Sequence, residues 1–120
     1  MEAYEEFIQR VQDIHRLGAL QGHLGWDQEV LMPAKGAASR GEMMAWLAGK
    51  RHEQLTDARM GALLTELEAE DLDVDQAANV REMRRSHDQA VRLPKSFVEA
   101  FAQARSEALV AWQSAREASD

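Results

Sequence analysis

No cysteine occurs anywhere in the 120-residue chain, which excludes disulfide bridges, thiolate nucleophiles, iron–sulfur clusters and Cys-ligated zinc. Proline is nearly as scarce, with two residues, and aromatic side chains make up only 6%. Positive charge is in deficit as well: 14 Lys and Arg stand against 21 Asp and Glu, a formal charge of -7. The first sixty residues hold seven basic and nine acidic side chains, the last sixty seven and twelve. Neither half carries the basic field that a phosphate backbone demands, so a nucleic-acid partner is not expected. Long apolar runs are missing too. The longest, Met43 to Ala48, has six residues, whereas a membrane helix needs about 18. Glu2, Glu5 and Glu6 at the N-terminus do not read as a secretory signal, and no membrane association and a cytoplasmic location are the expectation.

What the chain has in quantity is alanine and leucine. Twenty Ala and twelve Leu outnumber the eleven β-branched residues, and no segment alternates apolar with polar for long, so the fold class expected is all-α. About five antiparallel-packed helices, forming a bundle or hairpin array, account for residues 1–120 as one domain. A first helix from near Ala3 to about Leu31 carries Tyr4, Phe7, Ile8, Val11, Ile14 and Leu17 on one stripe. Gly18, Gly22 and Gly25 follow in its second half, and Pro33 with Gly36 breaks it. A second helix, about Ala37 to Leu55, is expected to bury Met43, Trp46 and Leu47, with Thr56 and Asp57 capping the third. The third, Ala58 to about Glu68, has its stripe at Met60, Leu63, Leu64 and Leu67. A fourth starts at about Asp75, carries Val80, Met83, His87 and Val91, and ends before Pro94. The fifth opens near Lys95, with Phe97, Phe101, Ala104, Ala108, Trp112 and Ala115 as its apolar stripe.

Chemistry-bearing patterns are few. His15, His23, His52 and His87 are scattered, and none pairs with another at helical metal spacing. His52 and Glu53 begin like HExxH, in which two histidines one turn apart hold zinc and the glutamate activates water, but Thr56 occupies the fifth position. His52 then reads as a polar residue near a helix end, and His87 as a hydrogen-bonded core histidine. Asp71, Asp73, Asp75 and Glu82 fall at positions 1, 3, 5 and 12 of a calcium-loop register. Gln76 stands where that loop needs glycine for its sharp turn, and a helix starting at Asp75 would place Glu82 two turns inside it, unable to fold back to a shared ion. A solvated inter-helix loop with carboxylates at a positive helix N-terminus is the competing reading. The serine-hydrolase, dinucleotide and phosphate-loop signatures are absent.

The segment Leu24 to Pro33 reads LGWDQEVLMP, and Leu17 through Asp57 resembles the N-terminal part of the carboxypeptidase Taq family of metallocarboxypeptidases. HEQLTD (His52 to Asp57), AANVREMRR (Ala77 to Arg85), the Asp88 region, RLP (Arg92 to Pro94) and AWQSAREASD (Ala111 to Asp120) continue the likeness in the same order. The resemblance implies a mostly helical enzyme, several times longer, whose helices wall a deep groove and which releases single residues from peptide C-termini with zinc or cobalt. It also implies that the HExxH motif and the third metal ligand lie beyond the stretch matched here. No catalytic, cofactor-binding or metal-ligating residue is therefore expected in this chain, and the chain alone is expected to be inactive.

Gly25, Trp26, Asp27, Gln28 and Pro33 are the motif positions that carry over. Two roles stand open for them. Trp26 can pack flat on a neighbouring helix while Asp27 accepts hydrogen bonds from a helix end, or the set can shape the rim of a substrate groove. The expected assignment is a wall, lid or dimer-contact region of such an enzyme; the alternative is a stand-alone helical interaction module. The expected partners are the remainder of the parent enzyme or a second copy in a homodimer, with peptide substrate only in the full-length context; if the resemblance holds, the chain's end at Asp120 is expected to be a cut, whereas a stand-alone module would be a genuine short protein.

Overall fold

A computed structural model describes residues 2–119. It comprises α1 (Glu2–Val30), a 3₁₀ turn (Ala34–Gly36), α2 (Ala37–Thr56), α3 (Ala58–Glu68), α4 (Val74–Ala90) and α5 (Lys95–Ser119), with no strand among the described residues. The chain is thus all-α, with the five helices read from the sequence.

Local chemistry sets the helix ends. α1 stops ahead of Pro33, and the backbone N–H groups of Leu31 and Met32 both return to the Asp27 carbonyl. The Asp57 carboxylate accepts from the Arg59 N–H at 2.8 Å and caps α3. Thr56, expected to share that task, instead donates its hydroxyl to the His52 carbonyl one turn back. α4 begins at Val74 rather than Asp75, because Asp73 and Gln76 form a reciprocal capping box. The Asp73 carboxylate accepts from the Gln76 N–H at 2.8 Å, and the Gln76 side-chain carbonyl accepts from the Asp73 N–H at 3.2 Å. Gln76 thus occupies the third position of the first turn, where it satisfies a second orphan donor.

The hydrophobic core lies towards one end of the molecule. Phe7 and Ile14 of α1, Leu55 of α2, Met60, Leu63, Leu64 and Leu67 of α3, and Val80 and Met83 of α4 form one buried cluster. His87 closes it: its Nδ1 lies 2.6 Å from the Leu55 carbonyl oxygen, so that nitrogen carries the proton and donates. His52 is buried as well, deeper than its place near a helix end suggested. Ion pairs clamp the exterior of this end. Glu6 accepts from Arg59 at 2.7 Å and from Arg10 at 2.9 Å, and these guanidinium contacts hold its carboxyl at about 2 against an ordinary 4.5.

The other end is thinner. There the second half of α1 and much of α5 lie against α2, and the molecule measures 59 × 25 × 21 Å. Its radius of gyration is 17.7 Å, against about 14 Å for a compact chain of this length. Its accessible surface is 7962 Å², where a compact monomer of this mass shows about 6,500 Å².

The excess has an identifiable source in α5, whose apolar stripe does not face α2. Glu99 and Gln103 do: a Cβ added at Gly49 would lie 2.9 Å from Glu99, and one at Gly41 would lie 2.7 Å from Gln103. The two glycines leave room for the Glu99 and Gln103 side chains, which share the inward face with Val98, Ala102, Ser106 and Leu109. Phe97, Phe101 and Trp112 consequently point outward, at 50%, 55% and 58% exposure. Met43 and Trp46 of α2, also expected inside, are exposed too, while Leu47 is buried as expected. A periodic stripe marks a face that is suited to burial, but it does not specify the element that covers it.

Candidate functional site

A concavity runs between α1 and α5, over α2. It encloses about 750 Å³ and is walled by Gln21, Gly22, Gly25 and Gln28 of α1 and by Arg105, Ser106 and Trp112 of α5. Met44 and Arg51 of α2 form its floor. Gln28, buried in the wall, ties the two helices together: its Nε2 donates to the Ser106 hydroxyl at 2.8 Å and to the Ser106 carbonyl at 3.3 Å.

The motif positions are split among different surroundings. Gly25 lines the groove, with nothing within 4 Å of the place a Cβ would take. Trp26 is 56% exposed and does not line it. Asp27 accepts from the Arg40 Nη2 at 2.8 Å, and Arg40 Nη1 donates to the Leu24 carbonyl at 2.7 Å. This half-buried pair fixes the end of α1 to the first turn of α2. Pro33 sits in extended geometry just ahead of the 3₁₀ turn and makes the corner between those two helices. The structure therefore gathers Gly25 and Gln28 at one groove, and leaves Trp26, Asp27 and Pro33 around the adjoining corner.

Arg51 is the groove residue that sequence reasoning missed. Its Nε is fully buried without a hydrogen-bond partner, and none of the ion pairs among the described residues includes it. Gly18 makes room for it, since a Cβ there would stand 3.4 Å from the Arg51 Nε. A smaller concavity of about 350 Å³ continues past Arg51 towards Ser86 and Gln89 of α4. One arginine thus serves both. No sequence signal marked it, because an arginine in a helix is ordinary until its neighbours are known.

No group of three or more His, Cys, Asp or Glu residues able to hold an ion occurs among the described residues. His52 is followed by Thr56 turned back onto its carbonyl, and Asp73 is engaged in its capping box. No helix is long and apolar enough to cross a membrane among the described residues.

Geometry alone defines an all-α scaffold with an arginine-floored groove of mixed polar and apolar lining and an uncovered aromatic face. The chain belongs to the carboxypeptidase Taq (M32) metallopeptidase family, whose model matches residues 6–120. It is similar to thermostable carboxypeptidase 1 of Thermus thermophilus, at 34% identity over 122 aligned positions. That alignment covers 98% of this chain and 24% of the relative, so the chain spans about a quarter of the length of the curated protein it matches. No solved structure matches the chain significantly.

Proposed function

We propose that this chain acts as the N-terminal, wall-forming region of an M32 metallocarboxypeptidase that releases C-terminal residues from peptides, and that it has no peptidase activity alone. The observation that carries this reading is the family match over residues 6–120 in a chain whose described residues offer no metal-binding cluster. The zinc or cobalt of the parent enzyme is held by residues outside this stretch. The outward stripe of Phe97, Phe101 and Trp112 supports burial against further protein, since monomers rarely leave contiguous apolar patches of several hundred Å² uncovered. On this reading the remainder of the enzyme covers that stripe; a second copy does so when the chain is alone.

Two measurements test it. The chain incubated with cobalt or zinc and a blocked dipeptide is expected to release nothing. A chimera in which this chain replaces the matched quarter of the Thermus thermophilus relative is expected to release the C-terminal residue in a chelator-sensitive manner. Chelator-sensitive release by the chain alone overturns the reading, as does an inactive but folded chimera.

A further inference from the structure

The groove between α1 and α5 has three properties that the fold itself does not use. Its floor carries the Arg51 guanidinium with a buried, unpartnered Nε. A buried N–H donor left without an acceptor is costly, and native structures satisfy nearly all such groups. Its α1 wall is cut back at Gly22 and Gly25, where nothing lies within 4 Å of either Cβ position. Glycine inside a helix costs up to about 1 kcal/mol relative to alanine, and no contact within the described residues requires it at these two positions. Its charge also differs in sign from the molecule. Arg51 and Arg105 line it against Glu29, whereas the whole chain carries -7.

We infer that this groove receives a helix from the remainder of the M32 chain, seated against Gly22 and Gly25 and presenting a carboxylate to Arg51. This inference rests on the reading of the preceding subsection and adds to it the place and chemistry of the contact. Glycines one turn apart on a helix let a second backbone come close. A carboxylate entering from that second helix meets a guanidinium already partly desolvated on the floor, and the planar fork of arginine matches it. A second copy of this chain suits the groove less well. Two-fold pairing across it would match the two arginines of each copy, Arg51 and Arg105, with a single carboxylate of the other, Glu29, leaving an excess of positive charge.

The test uses the isotope-labelled 120-residue chain and synthetic peptides tiling the unmatched part of the Thermus thermophilus relative. One tile containing Asp or Glu is expected to shift the Arg51 Nε–H signal together with the Gly22 and Gly25 amides. Arg51→Gln, or Asn or Gln in place of the tile's carboxylate, is expected to weaken its binding by about tenfold or more, as loss of one member of a desolvated charge pair does. Gly22→Leu fills open space at the wall, so it is expected to leave the circular dichroism spectrum and melting point unchanged while blocking the tile.

The inference is overturned if no tile moves those signals, if the bound tile lacks a carboxylate, or if binding is indifferent to Arg51→Gln. Concentration-dependent shifts of the same signals without peptide would assign the groove to a second copy and overturn it as well. An active chimera combined with any of these outcomes removes the inference and leaves the proposed function standing.

Discussion

Glu6 shows how much a surface carboxylate depends on its neighbours. Arg59 first, then Arg10, hold its carboxyl at about 2, below the ordinary 4.5. The sign follows from linkage: a depressed folded value stabilises the protein fully above the unfolded value, and that contribution fades as pH falls from about 4.5 towards about 2. Glu6→Gln is therefore expected to flatten the decline of stability across this window, read from urea unfolding at a series of pH values. An unchanged slope would mean that the clamp between α1 and α3 contributes nothing. Gln28 belongs to the opposite, buried regime. Gln28→Ala leaves the Ser106 hydroxyl without its donor, and the expected loss is about 1–3 kcal/mol. Ser106→Ala should cost less on that background than alone. A strictly additive double mutant would show that the two side chains do not act as a pair.

At the scale of elements, the start of α4 separates two readings of the acidic segment. With Asp73 as the cap, Asp73→Ala is expected to cost about 1 kcal/mol of unfolding free energy. Asp75→Ala, inside the first turn, should change it by only a few tenths. A larger loss at Asp75 than at Asp73 would return the cap to Asp75. The closeness of α2 and α5 has a similar handle. Gly49→Ala forces Glu99 aside from a separation of 2.9 Å, and a lowered melting point is the expected outcome. The helices themselves were legible because Ala and Leu content, Pro33, Pro94 and the Asp caps are local signals. Which side of α5 would face inward was not. That choice follows from Gly41 and Gly49 on another helix, far away in the chain.

For the whole molecule, stability and exposed surface are divided between the two ends. Leu64→Ala in the sealed core is expected to cost about 2–5 kcal/mol. Phe101→Ser on the outward stripe should leave unfolding almost unchanged and yet reduce self-association in sedimentation velocity at rising concentration. If Phe101→Ser destabilised the chain as Leu64→Ala does, the stripe would belong to the core. The surface of 7962 Å² exceeds that of a compact monomer by about 1,400 Å², more than the roughly 800 Å² that one partner contributes to a specific protein interface. That comparison gives the uncovered face the scale of a docking surface.

The sequence by itself determined the class and the family. Helix formers, caps and breakers act over a few residues, and the strings from LGWDQEVLMP to AWQSAREASD are carried by residue identity alone. Only the tertiary structure decided that Gln28 meets Ser106, 78 positions on, that α5 turns its aromatic stripe outward, and that the Arg51 Nε lies unpartnered beside Gly18. Burial, pairing and charge compensation belong to pairs of residues brought together from distant parts of the chain, and a pattern read along one segment contains no record of its partner.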